Sequence, residues 1–380
     1  MDPSRSSHRE PRVSGHAPPD VVCVGESMVT FLPVRPGRLA DVPAFTRAIG
    51  GAESNVACVL AAAGHRVKWV GRVGRDGFGD HLVETIGAYG VDVRAVDRDP
   101  DRPTGVYFRT ADDRATGAHE VAYYRTGSAA SAMSPATVPH SSVADARILH
   151  LTGITAALSA DCLALMRELT APRPGRPLVS FDVNHRAGLW RSGAVAADVL
   201  CELACRADVV FVGGDEAEAL WGLGDPVAIR AALREPAVLV VKRGGEEAVV
   251  FERCAASAEV AVTSAVTSAV TSVTSVTSAD PSADTVTTVP APRVDVTAPV
   301  GAGDAFAAGF LSATLRGLDT RTRLRHGHLM AAAALTVPAD LATPPRRAHA
   351  DRLAALDEAA WGTLHLGPGW TGDDQEVRTP

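Results

Sequence analysis

Pro299-Val300-Gly301-Ala302-Gly303-Asp304-Ala305-Phe306-Ala307-Ala308-Gly309-Phe310-Leu311 is the run in this 380-residue sequence on which the reading turns. Its first half is small and turn-forming. Its second half is an apolar, small-residue helix with Phe306 and Phe310 four apart, on one face. Small residues let a backbone approach a ligand closely, and the amides of a helix's first turn point outwards with the positive end of the dipole. Gly301, Ala302 and Gly303 therefore predict an anion hole. Asp304, at the same helix start, is a candidate base for an attacking hydroxyl. The plainer reading of such an aspartate, as a helix N-terminal acid, stays open beside it.

A second run lies far upstream: Gly50-Gly51-Ala52-Glu53-Ser54-Asn55-Val56-Ala57, followed by Val70-Gly71-Arg72-Val73-Gly74-Arg75-Asp76-Gly77-Phe78-Gly79. A glycine pair opening a helix again permits close approach, and Asn55, one turn in, both donates and accepts hydrogen bonds. Ordinary turn glycines and a helix-terminal asparagine are the alternative.

Between and around these runs the chain alternates. Val21–Gly25, Val67–Val70, Ile148–Leu151, Leu178–Phe181, Val209–Val212 and Val238–Val241 are short apolar runs of the kind buried on both faces of a parallel sheet. Helical patterns at Ser54–Ala63, Phe78–Tyr89, Ala160–Leu169 and Gly193–Cys205 separate several of them, which predicts βαβ units. Residues 30–48 and 103–125 break the rhythm and predict strands of a small separate sheet, a lid that closes over a ligand. Residues 257–289, repeating Val-Thr-Ser, predict a disordered or loosely extended insertion in the turn of a hairpin. Residues 1–19 and 367–380 are expected to be unstructured tails around a domain over 20–366.

Composition narrows the function class. A net charge of −7 argues against nucleic acid as a partner. Six scattered cysteines without a C-x-x-C pair fit a reducing cytoplasm; Cys201 and Cys205 share a helix face and are read as helix packing. Residues 1–19 lack the apolar centre of a secretory signal. The uncharged stretch Val260–Ala279 is too rich in Ser and Thr for a membrane span, so no membrane is expected. Neither a G-x-G-x-x-G after the first strand nor a G-x-x-x-x-G-K-[ST] loop is present, which disfavours a dinucleotide oxidoreductase and a P-loop kinase.

The two runs, in this order at opposite ends of the chain, resemble the paired signatures of the ribokinase-like (PfkB) carbohydrate kinases over about residues 20–345. The resemblance implies a three-layer α/β/α fold with a mostly parallel central sheet and a small β lid. It also implies ATP with Mg2+ as donor, Asp304 as base, and a homo-oligomer built through the lid. Further runs resemble one branch, the 2-keto-3-deoxygluconate kinases: Gly105-Val106-Tyr107-Phe108, Tyr123-Tyr124-Arg125-Thr126-Gly127-Ser128, Leu151-Thr152-Gly153-Ile154-Thr155 and Phe181-Asp182-Val183-Asn184-His185-Arg186. By that likeness Gly51, Asn55, Tyr107, Tyr123, Arg125, Ile154 and Arg186 line a sugar-acid site. Arginines suit such a substrate because they bind carboxylates through forked, charge-assisted bonds. For each arginine a solvated surface charge is the alternative, and for the two tyrosines a place in the lid core. Thr30 stands where neutral-sugar kinases of the family tend to carry an Asp.

The resemblance also implies that Lys242, Arg243 and Gly244 border the nucleotide and that Glu216 helps hold Mg2+ through water; a helix-start acid is the alternative for Glu216. Three positions depart from the family pattern. Ala298 replaces an Asp that organises a monovalent-cation site, with Asp295 displaced by three positions; Gly213 replaces an Asn; Glu247 replaces a Gly. K+ dependence is thus left open. The competing functions are a kinase of a neutral sugar such as fructose or ribose, and a sugar-binding protein without catalysis.

Overall fold

The computed structural model describes residues 17–35, 37–110, 120–253 and 284–372. β1 (Val21–Val24) leads into two lid strands, β2 (Met28–Pro33) and β3 (Phe45–Gly50), then α1 (Ala52–Ala62), β4 (Val67–Val70) and β5 (Arg72–Gly74). α2 (Gly77–Ala88), β6 (Asp97–Asp99) and the other lid strands, β7 (Val106–Arg109) and β8 (Val121–Tyr124), come next. The βα alternation resumes with β9 (Ile148–Thr152), α3 (Gly153–Leu158), α4 (Ala160–Thr170), β10 (Leu178–Asp182), α5 (Gly193–Cys205), β11 (Val209–Gly213), α6 (Gly214–Trp221) and α7 (Pro226–Ala232). β12 (Val238–Arg243), β13 (Glu247–Arg253) and β14 (Asp284–Pro290) complete the main sheet. β15 (Arg293–Val294), α8 (Ala302–Leu315), α9 (Thr320–Leu335), α10 (Arg347–Ala354), α11 (Glu358–Thr363) and β16 (His365–Leu366) follow.

The main sheet has eight strands in the order β14-β13-β12-β11-β10-β9-β1-β4. All pairs from β12 to β4 are parallel, and β13 and β14 add an antiparallel edge. Strands buried on both faces need apolar residues at every position, which explains the continuous Val and Leu runs. One face is covered by α1, α8 and α9, through Val56, Leu60, Phe310 and Leu329; Phe310 meets Phe211 of β11 edge-on, with ring centroids 5.5 Å apart. The other is covered by α4 and α5, through Leu165, Met166, Leu200 and Leu203. This is the three-layer arrangement expected. β1 lies between β4, which follows it, and the much later β9, so chain order reverses there and a crevice opens at the strands' C-terminal ends.

The lid is a four-stranded sheet, β3-β2-β7-β8. β7 and β8 lie inside 103–125, whereas β2 begins at Met28 and β3 ends at Gly50, just outside the segment 30–48. Its aromatic cluster holds it together: Phe31 stacks on Phe108 at 4.7 Å, and Phe45 meets Phe108 edge-on.

Two boundaries need correction. Residues 284–289, read as the end of the loose insertion, belong to β14, whose β-branched residues pair with β13 along its whole length. The rest of the insertion, with the Val260–Ala279 stretch, lies outside the described residues. Residues 367–372, assigned to a tail, are ordered because Trp370 is buried, its ring facing His349. Cys201 and Cys205 are only partly buried on α5. Among the described residues no helix is long and apolar enough to cross a membrane.

Candidate active site

Gly301 caps α8 with φ +76°, a left-handed conformation that favours glycine. A Cβ there would also overlap the backbone carbonyl of Asp340. The first backbone bond of α8 runs from Ala305 N–H to the Gly301 carbonyl. The amides of Ala302, Gly303 and Asp304 therefore have no acceptor within the helix. A Cβ on Gly303 would meet only Lys242 Nζ, at 3.6 Å, so the space in front of this turn is open. These amides belong to the turn that the sequence reading assigned to an anion hole, and they face open space.

The two motifs meet at Asp304. Asn55 Nδ2 donates to Asp304 Oδ2 at 2.9 Å across 249 residues of sequence, and Asn184 Nδ2 approaches Oδ1 at 3.4 Å. Asp304 keeps a window to solvent, yet protein surrounds most of it. That burial raises its pKa to about 7; the Asn55 bond opposes the rise, Asp182 adds to it, and Arg186 and Lys242 oppose it. A carboxyl titrating near neutrality is suited to accept a proton and release it again.

Beneath the hole lies a charge pair the sequence reading did not single out. Lys242 Nζ, at the end of β12, sits 2.8 Å from Asp182 Oδ2, at the end of β10. Burial would lower the Lys242 pKa, but the carboxylates of Asp182, Glu216 and Asp304 hold it above its ordinary value. Asp182 Oδ1, Asn184 Oδ1 and Asn55 Oδ1 are buried without a partner. Such orphaned acceptors around an open amide turn and a lysine fit a ligand that carries both phosphate and hydroxyl groups. Asp182 was legible in principle: a carboxylate ending an apolar strand is a signal. Asn184, at φ +38°, was not.

The other predicted residues divide. Ile154 starts the helix after β9, its amide donating to Thr152 Oγ1. Gly51 caps α1 in an extended conformation, and a Cβ there would overlap the Glu26 carbonyl and crowd Ser27, so a side chain has no room at this position. Tyr107 is buried and its hydroxyl donates to Asp340 Oδ2 at 2.6 Å; Tyr123 is half exposed, its ring 5.4 Å from that of Tyr107. Arg125 is buried in an ion pair with Glu26, so its charge is already matched within the protein. Arg186 is exposed at the crevice, with Glu216 Oε1 3.9 Å away. Glu216 accepts from the amides of Gly213 and His185 at 2.9 and 3.1 Å, which is the helix-start role. Arg243 pairs with Glu246 and with Glu247, the residue that stands in place of the family glycine; Gly244 makes the tight turn beside them at φ +56°. Asp295 is exposed and bound to His365 at 2.8 Å, and Ala298 is buried. Among the described residues no cluster of three or more His, Cys, Asp or Glu is arranged to hold a metal.

Glu53, in the first motif, was also passed over. It is fully buried, and its Oε1 accepts from Thr152 at 2.8 Å and Thr155 at 2.7 Å, which ties α1 to the Ile154 turn. Burial raises its pKa from 4.5 to about 7, against the pull of those two hydroxyls. A raised carboxyl stabilises the fold fully below the unfolded value near 4.5, and that contribution fades as pH rises through 7. Glu53→Gln keeps an acceptor for the threonines and removes the charge. Urea melts are expected to match wild type at pH 4 and to favour the variant by about 3 kcal/mol at pH 8.5. Equal stability at both pH values would contradict this account.

An open turn of amides, a carboxyl held by an asparagine from the other end of the chain, and the Lys242–Asp182 pair meet at the C-terminal end of the main sheet. The family model described as pfkB family carbohydrate kinase matches residues 18–346, and the chain belongs to that family. It is 33% identical over 358 residues to 2-dehydro-3-deoxygluconokinase of Bacillus subtilis (strain 168), covering 92% of this chain and 98% of that one. It is 32% identical over 203 residues to fructokinase-2 of Solanum habrochaites, covering 53% of this chain and 61% of that one. The crystal structure of a PfkB protein from Polaromonas sp. JS666 superposes with a TM-score of 0.70 at 32% identity, over 89% of this chain and all of that one. The protein is a carbohydrate kinase.

Proposed function

We propose that the protein transfers the γ-phosphoryl group of ATP to the terminal hydroxyl of 2-keto-3-deoxygluconate, or of a close sugar acid, giving the 6-phosphate. The observation that carries the reaction is the Asn55–Asp304 bond at the mouth of the α8 turn. The hydroxyl oxygen attacks the γ-phosphorus, the bond to the β-phosphate oxygen breaks, and the hydroxyl proton passes to Asp304 Oδ. The amides of Ala302, Gly303 and Asp304, with Lys242 behind them, meet the charge on the transferring group. Mg2+, which Glu216 would help to hold through water, would supply further neutralisation of the phosphate charge.

The acidic substrate is supported by the deoxygluconokinase relative, by Thr30 in place of an Asp, and by Arg186 at the crevice. Because Arg125 is matched by Glu26, Arg186 is the principal partner of the carboxylate in this reading, with Arg125 and Tyr123 around it. Arg186→Met should raise KM for the sugar acid about 10- to 100-fold, the loss of a charge-assisted bond, and leave KM for fructose nearly unchanged. Parallel rises in both constants would remove Arg186 from this role.

A neutral-sugar kinase is the second reading, favoured by the fructokinase relative. An ADP-release assay over 2-keto-3-deoxygluconate, its galactonate epimer, fructose and ribose separates the two. A clear preference for fructose or ribose would defeat the sugar-acid assignment. The reading includes a homo-oligomer joined through the lid and action in the cytoplasm, the former open to light scattering.

A further inference from the structure

Asp340 belongs to the irregular connection between α9 and α10, far in sequence from either motif. It is only 6% exposed. Its carboxylate accepts from the Tyr107 hydroxyl at 2.6 Å and from Arg109 Nη2 at 2.9 Å; Arg109 Nη2 also donates to the Pro338 carbonyl at 2.7 Å. Tyr107 and Arg109 are two apart on lid strand β7, so they leave one face of it together. The backbone of Asp340 lies elsewhere: its carbonyl oxygen fills the space a Cβ on Gly301 would need. At Gly50, which ends lid strand β3, a Cβ would overlap the Tyr107 hydroxyl and crowd Asp340 Oδ2. One residue thus touches both lid hairpins through its side chain and the anion-binding turn through its main chain.

We propose that Asp340 is a positioning residue that couples the placement of the lid to the shape of the anion-binding turn. A buried carboxylate must be matched in charge and hydrogen bonding, and here both matches come from β7. Shifting β7 therefore drags the Asp340 side chain, while its main chain, against Gly301, transmits the shift to the amides of Ala302 and Gly303. Phosphate-binding geometry and lid position are set by the same contacts. The Tyr107 hydroxyl is spent on this joint, so what Tyr107 offers a substrate is its ring. The inference rests on carbohydrate kinase activity and not on which sugar is used.

The test takes the full chain with the best sugar of the panel above; a wrong substrate assignment then shows in wild type alone and leaves the comparison of variants intact. Asp340→Asn, Arg109→Gln, the double variant and Tyr107→Phe are compared for kcat, KM, thermal midpoint, and ADP released per sugar phosphate formed. Misplacing reacting groups by an ångström costs about 100-fold. We therefore expect kcat for Asp340→Asn to fall about 10- to 100-fold with ATP and sugar KM changed far less, and ADP released to exceed sugar phosphate formed. The double variant, which buries no unmatched charge, should fold like wild type and be no slower than Asp340→Asn. Should Asp340→Asn not fold, the double variant and Tyr107→Phe carry the same expectation of excess ADP. Folded variants with one ADP per product and kcat within twofold of wild type overturn the proposal. So do losses at Arg109 and Asp340 that multiply in the double variant.

Discussion

Asp304→Asn is expected to lower kcat by about 10²- to 10⁴-fold while sugar and ATP still bind, because the amide occupies the same volume but cannot take a proton. The Asn55 bond in the first motif survives the change, since an amide oxygen also accepts from Nδ2. The same carboxyl sets the pH profile. With its pKa raised to about 7 by burial, the ionised base is lost progressively as pH falls below 7. kcat/KM should therefore drop about tenfold per unit on the acid side and level off above neutrality. Steady-state kinetics from pH 5.5 to 9 measures both effects. A decrease in kcat of only a few-fold in the variant would leave Asp304 as a helix-terminal acid and nothing more.

Lys242→Met is the second large effect, and it acts on stability and chemistry together. Lys242 is the counter-charge of Asp182, which is 2% exposed. Breaking such a pair by removing one partner leaves a buried charge unmatched, at a cost of about 3–5 kcal/mol. The lysine also helps to hold the Asp304 pKa down, and burial and Asp182 push it up. Without it the acid limb of kcat/KM should move to higher pH, and kcat should fall as the hole loses its cation. Urea melts at pH 8 and the pH profile read these separately. A limb that stays in place would show that Lys242 supports the sheet without acting on the base. Adding Asp182→Asn should recover much of the stability and little of the activity, since the double change restores neutrality but not the charge facing the phosphate.

The contrast among the predicted residues has a physical cause. Gly301–Asp304 was legible because a left-handed cap followed by small residues is a local requirement, set by neighbours in the chain. The same holds for the strands, since burial on both faces demands apolar residues at every position. Arg125 and Tyr107 were legible as side chains with polar ends, but their partners were not. Glu26 and Asp340 lie about 100 and more than 200 residues away, and nothing in a chain's local pattern says which charge will meet which. Trp370 was misplaced in a tail for a related reason: only docking on the body of the protein gives a lone tryptophan its burial.

Local pattern alone therefore determined that this chain builds a mostly parallel α/β sheet, a small separate sheet, and a helix whose first turn leaves its amides open beside a carboxylate. Each is written in short-range spacing. The tertiary structure decided that Asn55 from one end of the chain grips Asp304 from the other, that Lys242 and Asp182 share the floor, and that Arg125 is bound inward and Arg186 outward. Those choices belong to three-dimensional proximity, where burial and charge matching act between residues that the sequence keeps far apart.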